Sequence, residues 1–183
     1  VHAALRYLFV SLTGSLFYLI GVAVLYGGTG TLDLAMLGDV VIAEPPSIVA
    51  LVLMTGGLIM KAALFPIHFW LPPAHSSAPA PVSAALSALV VKGGFYILLR
   101  LWFGPFDDLV SAAAPQLIGV LGVAAIFWGS WQALRQSRLK LLVAYSTVAQ
   151  IGYLFLVFPL ARSVDARSTA VAGGLVFLLS HAA

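Results

Sequence analysis

Long runs of apolar residues, separated by short polar segments, make up most of the chain. None of them alternates polar and apolar residues with the period of two that is typical of a membrane barrel strand. Runs of about 20 apolar residues can cross a bilayer as helices, which satisfy their own backbone hydrogen bonds. The pattern predicts an all-α transmembrane bundle of about six helices, over Ala3–Tyr26, Ile48–Trp70, Pro81–Phe103, Pro115–Ala133, Leu139–Leu160 and Thr169–Ala183.

The connections between these runs are rich in proline, glycine or charged residues, and none is long enough to form a soluble domain. We therefore expect residues 1–183 to form a single transmembrane domain. The chain begins at Val1 rather than at a methionine, and its last apolar run has only about 15 residues, short of the ~20 needed to cross a bilayer. We expect it to be a piece of a longer protein, truncated at both ends.

Composition supports a membrane protein and excludes several functions. The chain is 62% hydrophobic and 8% charged, with a mean hydropathy of +1.08, whereas soluble domains carry about 25% charged residues. The net charge of +3 is spread over the loops, which argues against nucleic acid as a partner. The absence of cysteine excludes disulfides and cysteine-ligated iron–sulfur clusters. Because no motif for a flavin, quinone or metal occurs, we expect this chain to bind no cofactor.

Two lysines, Lys61 and Lys92, lie near the middle of the second and third apolar runs. An ammonium at bilayer depth costs roughly 2.5–3.5 kcal/mol, so each lysine indicates a function. Snorkelling to the surface is the alternative, but Lys61 lies roughly 15 Å from either end of its run at 1.5 Å per residue. None of the six acidic residues lies within a run, so an acidic partner would lie outside this chain or in another subunit.

Pro66 follows Lys61 closely and predicts a break in the second helix. Its missing N–H leaves the carbonyl of Ala62 without a helical partner. A broken helix beside an ionisable residue is a recurrent arrangement at ion sites near the membrane midplane. On the third helix, α-helical spacing places six residues on the face of Lys92: Ala85, Ala88, Leu89, Phe95, Tyr96 and Leu99.

Further polar residues lie in or beside the runs. Lys140 opens the fifth run, where a cation at the membrane interface is an equally good interpretation. His181, in the last run, is a candidate for proton transfer. His68 and His75 flank the WLPP turn, although a single histidine in a membrane is more often a hydrogen-bonded packing residue. The candidate accessory positions are His68, Ser87, Tyr145 and Ser146. The tryptophans are expected at the span ends, in an interfacial belt.

Two motifs carry a resemblance to a known family. The segment Lys61–Arg100 resembles the antiporter-like family that respiratory complex I shares with the Mrp cation/proton antiporters; it reads KAALFPIHFWLPPAHSSAPAPVSAALSALVVKGGFYILLR. The family pattern is a lysine, a P-x-H-x-W-L-P turn, P-x-P-V-S and a second lysine. The segment Ser137–Leu156 is similar to its second hallmark, K-x-x-x-A-Y-S, and reads SRLKLLVAYSTVAQIGYLFL. With the opening helix, the resemblance covers essentially the whole chain.

The resemblance implies a fold of about fourteen helices with two inverted five-helix repeats, of which this chain would hold the middle. It implies that Lys61 is the pumping lysine of the broken helix and Lys92 the connecting lysine. Lys140 would match the basic residue that starts the next helix, and His181 a histidine just before a further lysine. The proton pathway implied is thus Lys61, Lys92, Lys140 and His181, with Pro66 as the helix break.

The chain departs from the family pattern at one position within the motif. The usual WLPDA is WLPPA here, so Pro73 replaces the aspartate and any role of that carboxylate is lost. The glutamate that partners the first lysine in the family would lie upstream of Val1. The spacing of the second lysine is nearer to the Mrp D subunit or the complex I N-type subunit than to the L-type.

Three functions follow as hypotheses. The first is a proton-translocating or cation/proton antiporter subunit that uses the lysines as proton carriers. The second is a proton-pumping membrane-arm subunit of an NADH:quinone oxidoreductase or membrane hydrogenase, in which partner subunits perform the redox chemistry. The third is an inert membrane scaffold. The expected partners are the lipid bilayer, other membrane subunits, protons and Na⁺ as a second candidate ion, in a multi-pass protein of the bacterial inner membrane.

Overall fold

The structure, a computed structural model, describes residues 2–162 and 166–182. Every regular element within these ranges is helical. The α-helices are α1 (His2–Thr29), α2 (Leu34–Val40), α3 (Pro45–Lys61), α4 (Leu71–Ser77), α5 (Ala80–Ala85), α6 (Val91–Trp102), α7 (Ala113–Leu134), α8 (Leu139–Phe155), α9 (Val157–Leu160) and α10 (Arg167–Ala182). A 3₁₀ turn precedes α4 at Ile67–Trp70, and a π-helical segment joins α5 to α6 at Leu86–Val90.

Within the described residues, four continuous helical stretches are long and apolar enough to cross a membrane. They are His2–Thr29, Ala80–Trp102, Ala113–Leu134 and Leu139–Leu160. The apolar helix α3 is shorter, with 17 residues. The predicted all-α transmembrane fold is confirmed, and the chain is an integral, multi-pass membrane protein.

The structure shifts the break that Pro66 predicts within the run Ile48–Trp70. α3 ends at Lys61 itself, and the residues from Ala62 to Pro66 are irregular before the 3₁₀ turn begins. The interruption therefore starts ahead of the proline. The segment between the first two runs, predicted as a loop, also contains α2, whose amino end is capped by the Asp33 carboxylate accepting from the N–H of Ala35 at 2.9 Å. Hydropathy indicates which residues can lie in lipid, but it does not show where the backbone hydrogen bonds of a helix begin or end. For this reason it missed both the end of α3 at Lys61 and the short helix α2.

Two pairs of helices form the body of the bundle. α1 packs along α3, and α7 packs along α8, while α4 contacts α8 and α6 contacts α3. Glycines allow the close approach within each pair. A Cβ atom at Gly21 would lie 2.9 Å from the carbonyl oxygen of Ala50, and one at Gly122 would lie 2.8 Å from that of Gly152. Small residues at such contacts bring helix backbones together in membrane bundles.

Buried aromatic side chains fix the position of α6. The Phe95 ring packs edge-on against Phe155 at 5.4 Å and Phe158 at 5.9 Å between ring centroids. Trp102, at the end of α6, packs against Phe158 at 5.2 Å and donates from Nε1 to the hydroxyl of Thr55 at 2.9 Å. These contacts tie α6, which carries Lys92, to α3, α8 and α9.

Candidate functional site

The break after Lys61 is a well-formed helix end. Ala63 has a φ of +54°, in the left-handed region. The Ala63 N–H donates to the carbonyl of Met60 at 3.3 Å, and the Leu64 N–H donates to that of Ile59 at 3.3 Å. This pair of bonds is the Schellman arrangement, which satisfies the last carbonyls of a helix. The end of α3 therefore leaves few unpaired backbone groups within the membrane, as a span interrupted in lipid requires.

Trp70 completes this helix end. Its indole Nε1 donates to the Met60 carbonyl at 3.1 Å, and the side chain is only 2% exposed. The expectation that the tryptophans lie in an interfacial belt is thus wrong for Trp70 and for Trp102, which is 5% exposed. Both are buried because their indole N–H groups have hydrogen-bond acceptors inside the bundle.

Lys61 is half-buried at the carboxyl end of α3, where the partial negative charge of the helix end favours a cation. It lines a small cavity of about 20 Å³ together with Tyr7 and Ser11 of α1 and Trp70. That volume is enough for about one water molecule. Within the described residues no carboxylate pairs with Lys61. The hydroxyl groups of Tyr7 and Ser11 therefore share with Lys61 a cavity that has room for about one water molecule.

The helix that carries Lys92 packs directly against this end of α3. A Cβ atom at Gly94 would lie 3.2 Å from the Ala62 backbone nitrogen and 3.5 Å from the Cβ of Lys61. The glycine brings the two backbones into contact two residues after Lys92. The structure therefore places the two lysines on neighbouring, touching helices.

Lys92 is buried, at 3% exposure, and its charge has no carboxylate partner within the described residues. Its ammonium donates to the carbonyl of Ser87 at 2.9 Å and to that of His181 at 3.1 Å. An ammonium has three N–H donors, so one remains for a further acceptor. The lysine thus joins the π-helical segment on its own helix to the end of α10.

The helix face predicted for Lys92 holds for Phe95 and Leu99, which are 1% and 5% exposed, but not for two other residues. Leu89 and Tyr96, expected beside the lysine, are 71% and 43% exposed, while Lys92 is buried. The π-helical segment Leu86–Val90 adds a residue to its turn and shifts the faces before it relative to those after it. Ser87, predicted as an accessory residue, contributes its backbone carbonyl to Lys92 for this reason.

A larger cavity, of about 730 Å³, is lined in part by Ser87 and His181, whose carbonyls accept from Lys92. It is bounded by the side chains of α4, α5, the π-helical segment, α8 and α10, and its polar lining residues are His75, Ser83, Ser87, Lys140, Thr147 and His181. Its remaining lining is mostly alanine, valine and leucine. The cavity thus brings together Lys140 and His181, which are 41 residues apart in the chain, beside the partners of Lys92.

Lys140 lies at the exposed side of this cavity. Its ammonium donates to the carbonyl of Ala78 at 3.0 Å, and Ala78 is the residue that ends α4. A cation at a helix carboxyl end is favourably placed. This contact joins α8 to the turn between α4 and α5.

The other predicted residues lie in different surroundings. Pro66 is exposed after a cis peptide bond with Phe65, and His68 is buried with its ring 5.3 Å from Phe65. Tyr145 and Ser146 are half-buried on α8 and do not line the 730 Å³ cavity. Four polar residues of the two cavities were not among the predicted site residues: Ser11, Trp70, Ser83 and Thr147.

The chemistry available at this site is proton transfer and ion binding. The side chains brought together are amines, imidazoles and hydroxyls, which donate, accept or carry protons. Within residues 2–162 and 166–182, no three His, Asp or Glu side chains lie together as a metal site would need. The helices that carry Lys61 and Lys92 are in contact with each other, and the two residues whose carbonyls bind Lys92 line the 730 Å³ cavity.

Comparison with known proteins identifies relatives along the whole chain. The family described as NADH:quinone oxidoreductase/Mrp antiporter, transmembrane, matches residues 1–183. The chain is 40% identical over 190 residues to NADH-quinone oxidoreductase subunit N of Desulforudis audaxviator, which covers 100% of this chain and 36% of that protein. The chain thus spans about a third of the length of this curated relative.

Solved structures agree with this assignment. A chain of the Mrp complex from Dietzia sp. superposes with a TM-score of 0.86 at 29% identity, covering 99% of this chain and 33% of that one. A chain of the membrane-bound sulfane sulfur reductase, an archaeal respiratory membrane complex, gives a TM-score of 0.84 at 32% identity, covering 99% and 37%. As its two motifs predict, the chain belongs to the transmembrane family shared by NADH:quinone oxidoreductases and Mrp antiporters.

Proposed function

We propose that this chain is part of a proton-translocating membrane subunit in which Lys61, Lys92 and Lys140 carry protons and His181 contributes. The observation that carries the proposal is the position of Lys92. This lysine is buried within a membrane-spanning stretch and is held by two carbonyl oxygens rather than by a carboxylate. A buried cation of this kind is expensive in a membrane, and its cost is hard to explain by packing alone.

The neighbouring contacts support a lateral order of carriers. Lys61 ends α3 where Gly94 of α6 touches it, and Lys92 lies two residues before Gly94. The Ser87 and His181 groups that bind Lys92 line the cavity that Lys140 also lines. Polar residues therefore lie between Lys92 and Lys140, and a direct helix contact joins the segments of Lys61 and Lys92.

The test is proton flux through the assembled complex in proteoliposomes. We expect Lys92→Met to reduce flux by about two orders of magnitude or more, the scale of losing a proton-transfer group. Lys61→Met is expected to act in the same way. Arg138→Gln, a change at an exposed loop residue close to Lys140, is the matched loss of a positive charge and should leave flux unchanged. Unchanged flux in both lysine variants, with normal assembly, would favour the inert scaffold instead.

The complex that holds the subunit is the second part of the proposal. Subunit N of an NADH-quinone oxidoreductase is 40% identical to this chain, whereas the Mrp chain is 29% identical. We therefore favour a redox-driven proton pump over a stand-alone cation/proton antiporter. Purification of the natural complex through a tag on this subunit decides between them. Co-purification of a peripheral redox arm supports the pump, and recovery of small membrane subunits alone supports the antiporter.

The remaining assignments follow from this proposal. The partners would be other membrane subunits and the lipids of a bacterial inner membrane, and the transported ion would be the proton. Na⁺ coupling is the alternative for an Mrp-type complex. A flux that is independent of Na⁺ in the reconstituted complex supports protons alone, whereas Na⁺-dependent flux supports antiport.

A further inference from the structure

A third cavity, apart from the two described above, lies between α2 and the end of α6. Its volume is about 390 Å³. Leu34 and Ala35 of α2 form one wall, and Leu99, Arg100 and Phe103 at the end of α6 form the other. The remaining lining is a glycine and a proline of the loop after α6, so the arginine is the one charged residue among the described residues that line this space.

The position of Arg100 in its helix places this cavity near a membrane surface. The spanning stretch Ala80–Trp102 ends two residues after it, and long basic side chains near the end of a span extend to the headgroup level. On the other wall, α2 exposes Met36 and Val40 at 56% and 42%, as a short helix at the boundary between water and lipid does. The cavity therefore lies where phospholipid headgroups meet their acyl chains.

The guanidinium of Arg100 is unpaired in the part of the chain that the structure describes. It is exposed and forms no ion pair there, although two other arginines at this end of the bundle, Arg162 and Arg167, lie 3.6 and 2.8 Å from the Asp107 carboxylate. Asp33, which precedes the α2 wall, instead caps that helix. A guanidinium has five N–H donors in a planar fork that matches the oxygens of a phosphate.

We propose that this cavity is a binding site for one phospholipid molecule, with its phosphate held by Arg100 and the start of an acyl chain packed against Leu34, Leu99 and Phe103. The charge of the phosphate complements the unpaired guanidinium, and the apolar walls complement the chain. An inorganic phosphate ion would use only the guanidinium, and a diacylglycerol would use only the walls. The site is separate from the lysines and does not depend on the proposed proton transport.

The cavity distinguishes this site from the ordinary contacts of a protein with its bilayer. An arginine at the end of a span commonly meets the headgroups of lipids that exchange freely. Here the same arginine lies on the wall of a recess between two helices, so a lipid seated in it gains contacts on both sides. A lipid held in this way is retained after the surrounding lipid has been removed in detergent.

Photolabelling of the assembled complex in detergent micelles tests the site. The probe is a phosphatidylglycerol with a photoactivatable diazirine near the carboxyl end of one acyl chain. After illumination, the complex is digested with chymotrypsin, which does not cut at arginine, so that the parent protein and its arginine variants give comparable peptides. Mass spectrometry then measures the labelled fraction of the peptides that contain Leu34 and Leu99–Pro105 as the mole fraction of probe increases.

We expect Arg100→Gln to raise the mole fraction of probe for half-maximal labelling by about tenfold or more, the scale of losing charge-assisted hydrogen bonds. Arg100→Lys keeps the charge without the planar fork and should lie between this variant and the parent. Arg138→Gln, which removes an exposed guanidinium beyond the other end of α7, should leave the labelling unchanged. Equal labelling of the parent and Arg100→Gln would mean that only exchanging bilayer lipid is present, and it would overturn the site.

A second pair of variants tests the cavity without changing a charge. Ala35→Phe fills the space from the α2 wall and should lower the labelling about tenfold, whereas Met36→Phe, at an exposed residue of the same helix outside the lining, should not. A parent protein without label on these peptides would show that another segment covers the recess, and it would contradict the proposal.

Competition identifies the ligand. Unlabelled phosphatidylglycerol should displace the probe, and neither dioleoylglycerol nor sodium phosphate should do so at a concentration at which the phospholipid displaces it. Displacement by dioleoylglycerol to the same extent would remove the role of the phosphate, and displacement by phosphate alone would show that the site does not take a lipid. The proposed function fails separately, through the flux of the Lys92→Met variant.

Discussion

Two neighbouring alanines at the end of α3 are both fully buried and differ in backbone conformation. Ala62 has a φ of −74°, whereas Ala63 has a φ of +54°. A left-handed conformation costs an L-residue with a Cβ atom roughly 1–2 kcal/mol, which glycine avoids. The two positions therefore differ in what the loss of a methyl group should do.

We expect Ala63→Gly to cost about 1–2 kcal/mol less stability than Ala62→Gly. Both substitutions remove a fully buried methyl group, since each alanine is 0% exposed, but only the change at Ala63 relieves a strained φ. Thermal unfolding of the two purified variants measures the difference. Equal losses would mean that Ala63 does not hold the left-handed conformation in the folded protein.

At the residue scale, the sequence was sufficient to single out one buried and one half-buried lysine. Lys61 and Lys92 stand out because a charge is expensive in an apolar run, and this cost is visible without a structure. The conformation of Ala63 was not predictable, because glycine is the usual residue at such a position and alanine gives no signal. The burial of Trp70 was missed because its acceptor, the Met60 carbonyl, exists only where the helix ends.

The pairing of α1 with α3 depends on a close contact at Gly57, and the neighbouring Gly56, which makes no such contact, serves as its control. A Cβ atom at Gly57 would overlap the Gly14 carbonyl and lie 2.8 Å from the Tyr18 backbone nitrogen, whereas one at Gly56 would meet nothing within 4 Å. Overpacking of this kind typically costs about 1–3 kcal/mol. The adjacent glycine lies on a different face of the same helix.

We therefore expect Gly57→Ala to lower the thermal stability of the assembled complex and Gly56→Ala to leave it unchanged or slightly raised, because alanine is the better helix former. Differential scanning fluorimetry in detergent compares the two. If both variants unfold at the temperature of the parent protein, α1 and α3 are not in the close contact described.

At the scale of elements, the apolar runs predicted where helices lie but not where an α-helix gives way to a 3₁₀ or π-helical turn. The 3₁₀ turn at Ile67–Trp70 and the π-helical segment at Leu86–Val90 are as apolar as the α-helices around them. The cavity shared by Lys140 and His181 was also out of reach, because it depends on α4, α8 and α10 meeting in space. Sequence spacing is informative within one helix and says little about contacts between helices.

One cluster of charges joins distant parts of the whole molecule. Asp107, in the loop after α6, accepts from Arg167 at 2.8 Å and lies 3.6 Å from Arg162. The Arg167 guanidinium also lies 5.1 Å from the centroid of the Phe103 ring. About a third of each charged side chain is exposed, so solvent and salt weaken these pairs.

We expect Asp107→Asn to reduce stability by less than about 1 kcal/mol at low salt, with the difference disappearing in 1 M salt. Asp108→Asn is the matched control, since Asp108 is exposed and forms no ion pair within the described part of the chain. Thermal unfolding at two salt concentrations provides the measurement. A loss that persists at high salt would show that Asp107 acts through packing rather than through charge.

At the scale of the molecule, the family and the all-α membrane fold were predictable because two motifs and the hydropathy pattern agree. The contacts between the loops that connect the helices were less predictable. Asp107 and Arg162 are ordinary loop residues in the sequence, and only the folded arrangement brings the two loops together.

The π-helical segment determines the direction in which the Lys92 side chain points. In an α-helix, residues five apart point about 140° away from each other around the axis. A turn closed between residues five apart brings them to the same side, and Ser87 and Lys92 are five apart. The direction of the ammonium is thus set by the winding of the main chain. Rewinding Leu86–Val90 to an α-helix would turn Lys92 away from the Ser87 carbonyl without changing any ionisable residue.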